Sequence, residues 1–134
     1  MRLRSEAEMI EFGEKIAENL SAPAVIELIG DVGAGKTTIT KGIAKGLGVL
    51  DEITSPSFMI SKQYEFQGGR LVHYDFYRLN DPGIMSEDLM ENMRDSQTIT
   101  VVEWADSVAD LLPDGHRKFS IKLMDDGSRE VVEL

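Results

Sequence analysis

The feature that most constrains this chain is an eight-residue segment that reads Gly30-Asp31-Val32-Gly33-Ala34-Gly35-Lys36-Thr37. It matches the phosphate-binding P-loop pattern G-x-x-x-x-G-K-[ST]. Glycines let backbone N–H groups close around an anion, Lys36 supplies positive charge to the β- and γ-phosphates, and the Thr37 hydroxyl can bind Mg²⁺. The pattern predicts nucleotide contacts from Asp31, Val32, Gly33, Ala34, Gly35, Lys36, Thr37 and Thr38.

The flanks of this segment carry the strand and the helix that a P-loop requires. Residues 25–29 form a short apolar run typical of a buried strand, and Ile39, Ile43 and Leu47 recur at helical spacing before Gly48. We therefore predict one α/β domain over residues 1–134. The expected architecture is a P-loop NTPase-like, three-layer fold with a largely parallel sheet, helices on both faces and antiparallel hairpin additions.

Periodicity and turn residues outline the rest of the chain. Ser5 followed by Glu8 resembles a capping box, which predicts that a helix begins there. The remaining patterns predict helices over residues 6–20, 84–94 and 104–112, a buried strand over 98–102, and hairpins that join 57–65 to 70–76 and 118–124 to 129–134.

Composition excludes several classes of function. The chain has no cysteine, which removes disulfides, thiolate zinc sites and thiol catalysis. It has no apolar run long enough to cross a bilayer and no apolar signal core after its first residues, so we expect a cytoplasmic protein without a membrane contact. Its net charge of −10 argues against direct DNA or RNA binding. Nine acids lie within residues 81–114, and they form either a solvated helical surface or a docking face for a basic partner.

Two acids follow apolar runs and could complete a hydrolytic site. Asp75 ends the run 71–74, and Glu103 ends the run 99–102. Carboxylates at the carboxyl ends of strands beside a P-loop strand can place Mg²⁺ and orient an attacking group. Glu103 is the better candidate for the metal, opposite Thr37, and Asp75 for orienting or deprotonating water; the two roles could be exchanged. Together with Lys36 these acids form the predicted catalytic set.

Other residues carry weaker signals. Ser55–Phe58 is either a switch segment that senses the γ-phosphate or a proline turn, and His73 is expected to pack or hydrogen-bond within its strand. Arg78 is expected to pair with an acid, whereas Trp104 could be core, a lid or a partner contact. Arg129 could reach a phosphate or base from the second hairpin. Because the chain has no N-K-x-D motif for guanine, ATP is the expected nucleotide.

These elements together resemble the TsaE family of bacterial ATPases, which are required for threonylcarbamoyladenosine (t⁶A) in tRNA. The resemblance spans about residues 5–134, and it is carried by residues 30–38, by Ser55-Pro56-Ser57-Phe58, by His73-Tyr74-Asp75-Phe76-Tyr77-Arg78-Leu79 and by Val102-Glu103-Trp104. The family usually has Thr where Ser57 stands, and it often has Pro where Ala105 stands. Neither departure removes a functional group.

The resemblance implies ATP and Mg²⁺ as cofactors, with Thr37 and Glu103 on the metal. It implies that Asp75 is the second essential carboxylate and that Arg129 contacts the nucleotide. The family hydrolyses ATP weakly alone and acts on a heterodimer of TsaB and TsaD, so tRNA would be involved only indirectly. A small-molecule P-loop kinase is the alternative, although no Arg-rich lid segment is evident in the sequence.

Overall fold

The computed structural model describes residues 1–56, 60–77 and 83–134. The strands in these ranges are β1 (Arg2–Leu3), β2 (Ala24–Ile29), β3 (Ser61–Phe66), β4 (Gly69–Asp75), β5 (Thr98–Glu103), β6 (Arg117–Leu123) and β7 (Arg129–Glu133). The helices are α1 (Glu6–Glu18), α2 (Lys36–Leu47), α3 (Ile84–Arg94) and a 3₁₀ helix over Ala105–Leu111.

All seven of these strands join one sheet in the order β1-β7-β6-β2-β5-β4-β3. The four inner strands β6, β2, β5 and β4 run parallel to one another. The outer strands are added antiparallel: β3 pairs with β4, β7 with β6, and β1 with β7. The predicted largely parallel sheet with antiparallel hairpins is therefore confirmed.

Helices cover the sheet on both faces, as predicted. On one face, α1 and α2 bury Met9 and Ile43 among apolar side chains of β2, β5 and β6. On the other face, Leu89 of α3 and Val108 of the 3₁₀ helix pack on apolar side chains of β4 and β5. Because β5 is covered from both sides, all six of its residues are buried, as expected for a central strand of a parallel sheet.

Helices α1 and α2 touch through their backbones at glycines. A Cβ atom built on Gly13 would lie 2.3 Å from the Ile39 carbonyl oxygen, and one built on Gly42 would lie 2.1 Å from the Ile10 carbonyl oxygen. Real Cβ atoms do not approach carbonyl oxygens so closely, so only glycine permits this contact. Since α2 begins at Lys36 of the P-loop segment, the contact fixes α1 relative to that segment.

Most predicted elements are confirmed. Ser5 caps α1 by accepting a hydrogen bond from the Glu8 amide at 3.1 Å, and Gly48 ends α2 in the left-handed region. Within the predicted helical segment 104–112, Ala105–Leu111 form a 3₁₀ helix rather than an α-helix, whereas β1 was not predicted. Residues 57–59 of the first predicted hairpin lie outside the described residues. None of the described helices combines the length and apolarity that a bilayer crossing requires.

Candidate nucleotide-binding site

A cleft of about 700 Å³ opens at the carboxyl ends of β2, β4 and β5. This is where parallel α/β sheets place their ligands, because the strand ends aim side chains into the crevice between loops. One wall is the P-loop, a second is formed by the ends of β4 and β5, and a third combines residues 3–6 with the start of β7. Predicted nucleotide contacts that line this cleft are Val32, Gly33, Gly35, Lys36, Thr37, Thr38 and Arg129.

Two of the residues predicted to contact the nucleotide, Ala34 and Asp31, do not line the main cleft. Ala34 is almost completely buried behind the loop and belongs to the core beneath α1. Asp31 lines a separate, smaller pocket beside the end of β2, and Trp104 lines both this pocket and the main cleft. Neither residue lines the main cleft, so contacts of these two residues with a phosphate would come from their backbone atoms.

The two predicted carboxylates are brought together at neighbouring strand ends. Asp75 and Glu103 stand directly opposite each other in the parallel register of β4 and β5, and both line the cleft. Both are buried, at 6% and 3% exposure. The Asp75 carboxylate accepts a hydrogen bond from the Tyr77 amide at 2.9 Å, whereas the Glu103 carboxylate is hydrogen-bonded to His73. Two buried carboxylates at paired positions of adjacent strands favour a cation beside them.

Lys36 supplies positive charge to the same cleft. Its ammonium group donates to the carbonyl oxygens of Gly30 and Asp31, and it lies 4.1 Å from the centroid of the Trp104 ring. Burial lowers the pKa of the Lys36 ammonium, and nearby carboxylates, with Glu103 the strongest, act in the opposite direction. Its carbonyl and aromatic contacts are the interactions that a phosphate group would replace.

Arg129, near the C-terminal end of the chain, hydrogen-bonds to the P-loop. Its guanidinium donates to the carbonyl oxygens of Ala34 at 2.9 Å and Gly33 at 3.3 Å. Strand β1 pairs with β7 so that Leu3 stands opposite Arg129. The N-terminal strand thus pairs with the start of β7, which carries the arginine that bonds to the P-loop.

We expect Arg129→Lys to weaken ADP binding roughly tenfold, because an ammonium cannot reproduce the fork that reaches two loop carbonyls. Isothermal titration against ADP measures the change. The matched control is Arg117→Lys, since Arg117 lies on the adjacent strand, pairs with Glu133 and does not line the cleft. Equal ADP affinities for the two variants would contradict a role for Arg129 at the nucleotide.

The donor set of the cleft suits a hard cation. Thr37, Asp75 and Glu103 all line it and offer only oxygen atoms, which are the ligands that Mg²⁺ prefers. Within the described ranges there is no cluster of three or more histidine, cysteine or acidic side chains that could hold a metal. A P-loop metal site does not need one, because nucleotide phosphates and water complete the coordination of Mg²⁺. Thr37 and Glu103 fit the predicted metal-binding role.

The remaining predicted residues fall into three groups. Ser55 and Trp104 line the cleft, and the Trp104 ring packs 4.7 Å from that of Tyr77. His73 is fully buried under the cleft. Ser57, Phe58 and Arg78 lie outside the described residues.

The sequence did not indicate the third wall of the cleft, which includes Leu3, Ser5 and Met9. A two-residue strand is too short to produce a periodic pattern. The only available signal was the capping box, which placed the start of α1 but not its position over the P-loop.

Known proteins resemble this chain over almost all of its length. A family model described as "Threonylcarbamoyl adenosine biosynthesis protein TsaE" matches residues 3–131. Three relatives bear the name "tRNA threonylcarbamoyladenosine biosynthesis protein TsaE". The one from Haemophilus influenzae is 32% identical over 90% of this chain and 80% of its own length. The one from Bacillus subtilis is 42% identical over 81% and 67%, respectively. The one from Treponema pallidum is 34% identical over 96% and 95%.

A solved structure agrees with these sequence matches. The crystal structure of Bacillus subtilis YdiB superposes with a TM-score of 0.80 at 30% identity, and the alignment covers 98% of this chain and 80% of that one. Similarity of this extent includes the strand ends and the P-loop that form the cleft. The chain therefore belongs to the TsaE family.

Proposed function

We propose that this protein is a Mg²⁺-dependent ATPase that supports t⁶A modification of tRNA as an accessory to a TsaB–TsaD complex. The observation that carries the hydrolytic part is the register pair Asp75 and Glu103, which faces the same cleft as Lys36. The role in t⁶A biosynthesis is supported by family membership. The protein would act in the cytoplasm and would not itself transfer the threonylcarbamoyl group.

Each residue of the cleft has a defined task in this proposal. The loop amides and the N-terminus of α2 bind the phosphates of ATP, and Lys36 exchanges its carbonyl partners for phosphate oxygens. Thr37 and Glu103 would hold Mg²⁺, which would neutralise charge on the transferred phosphoryl group. The Asp75 carboxylate, fixed by the Tyr77 amide, orients the attacking water.

The charge of the protein supports a protein partner rather than tRNA itself. A chain with a net charge of −10 repels the phosphate backbone unless basic residues are clustered on one face. Exposed acids on α3 and the 3₁₀ helix, such as Glu87, Glu91 and Asp106, instead suit a basic protein surface. Contact with tRNA would then be indirect, through the TsaB–TsaD pair.

The test combines ATP turnover with t⁶A formation. We expect weak Mg²⁺-dependent hydrolysis by the protein alone, stimulation by a TsaB–TsaD pair, and t⁶A on tRNA only when all components are present. Lys36→Ala serves as the inactive control. Absence of both binding to the pair and stimulation by it would overturn the accessory role. Transfer of phosphate to a metabolite instead of water would identify a kinase.

A further inference from the structure

We infer that His73 is a positioning residue that orients the Glu103 carboxylate for its part in the nucleotide site. The inference rests on the proposed function, because it assigns His73 a role through a proposed metal ligand. Nothing in the P-loop pattern, the family name or the relatives' names assigns a task to this histidine.

The sheet register brings His73 beneath the cleft. In β4, His73 and Asp75 are two residues apart, so they share a face with Leu71, which packs in the cluster that contains residues of α1 and α2. In the neighbouring β5, Val101 stands opposite His73, and Glu103 stands opposite Asp75. The Glu103 side chain can therefore reach back diagonally to the imidazole, and Nε2 of His73 is hydrogen-bonded to Oε2 of Glu103.

Burial of both side chains shields this hydrogen bond from water and favours one tautomer of His73. The side chain of His73 is 0% exposed and that of Glu103 is 4% exposed, so water does not compete for the bond. Among the described residues, Nδ1 of His73 has no hydrogen-bond partner. A proton on that buried nitrogen would lose its hydrogen bond to water without replacement. The favoured tautomer therefore carries its proton on Nε2 and donates it to Glu103.

The hydrogen bond from His73 makes the two carboxylate oxygens of Glu103 inequivalent. Oε2 accepts the hydrogen bond from the imidazole, which leaves Oε1 as the oxygen with no bond to His73. The rotamer of Glu103 is fixed by a rigid ring that is itself held in the core of the sheet. Such carboxylate–histidine pairs hold ligands in place at metal sites, and their loss commonly costs 10–100-fold in metal affinity or activity.

A histidine that merely fills the core would behave differently. An apolar side chain of similar size could replace it, and a donor at the position of Nε2 would be irrelevant. A positioning histidine requires that donor. His73→Gln keeps an amide N–H that can reach the position of Nε2, whereas His73→Leu keeps the volume and removes the donor. This pair of variants separates the two roles.

The first experiment compares these variants with the wild-type protein in three measurements: thermal unfolding, ADP binding without Mg²⁺, and ATP turnover as a function of Mg²⁺ concentration. For His73→Leu we expect turnover to fall about 10–100-fold and the half-saturating Mg²⁺ concentration to rise. ADP binding without Mg²⁺ should be unchanged, because the P-loop supplies it. His73→Gln should retain most of the turnover. Equal turnover and equal Mg²⁺ response for a folded His73→Leu variant and the wild type would overturn the inference.

The second experiment does not depend on ATP hydrolysis. The chain has two histidines, so His116→Gln leaves the imidazole of His73 alone in a ¹⁵N spectrum of the nucleotide-free protein. We expect a protonated Nε2 and an unprotonated Nδ1, with the Nε2 signal shifted by Glu103→Gln. A proton on Nδ1, or no response to Glu103→Gln, would overturn the inference. If the wild type shows no Mg²⁺-dependent turnover with or without TsaB–TsaD, the proposed ATPase fails, and the spectrum still decides whether His73 holds Glu103.

Discussion

Asp75→Asn should lower ATP turnover by roughly 10²-fold or more while leaving ATP affinity and the Mg²⁺ response close to those of the wild type. An amide cannot accept the proton of an attacking water as a carboxylate does. The amide oxygen can still accept the hydrogen bond that the Tyr77 amide now donates to the Asp75 carboxylate. The fold should therefore survive, and steady-state ADP release measures the change.

Glu103→Gln is the partner variant, and it separates the two acids. We expect it to raise the half-saturating Mg²⁺ concentration as well as to lower turnover, because a neutral amide oxygen is a poorer ligand for a hard cation. Its amide oxygen can still accept from His73, so the buried hydrogen bond is conserved. Titration of turnover with Mg²⁺ distinguishes the variants. If Asp75→Asn shifts the Mg²⁺ response and Glu103→Gln does not, the two roles are exchanged; if neither slows hydrolysis, the register pair is not the catalytic site.

Local patterns predicted the parts of the site that are local in sequence. The P-loop unit is one such part, since strand β2, the glycine-rich turn and α2 are consecutive and each carries its own signal. Asp75 and Glu103 were also found this way, because an acid that ends an apolar run predicts a strand-end carboxylate. Their direct opposition in register depends on how β4 and β5 pair, and no local pattern specifies that pairing.

Contacts between distant segments were not predictable from pattern. The pairing of Leu3 with Arg129 joins the two ends of the chain, and the bond between His73 and Glu103 joins two strands. Glycines within helices are a further example. Gly13 and Gly42 have low helix propensity, so by themselves they argue against the helices in which they lie. Only the contact between α1 and α2 explains why glycine is required there.

Gly42→Ala should therefore destabilise the protein, by about 2–3 kcal/mol, even though alanine is the better helix former. A Cβ atom at this position would lie 2.1 Å from the Ile10 carbonyl oxygen. The obstacle is backbone, so it cannot rotate away as a side-chain end would, and α1 must move off α2. Urea unfolding followed by circular dichroism gives the change in the free energy of unfolding.

A control in the same helix isolates the steric cause. Lys45 is exposed on α2. At this position the Lys45→Ala variant should be more stable than the Lys45→Gly variant by about 1 kcal/mol, which is the ordinary difference in helix propensity between alanine and glycine. At position 42 the order should reverse, so that the protein with glycine is more stable than the variant with alanine. Met9 of α1 packs directly on Gly35 of the P-loop, since its methyl group lies 2.0 Å from where a Cβ of Gly35 would stand. Displacement of α1 would remove this contact, so ADP binding should weaken together with stability. If alanine is favoured at both positions, the helices do not touch through their backbones, and α1 does not position the P-loop.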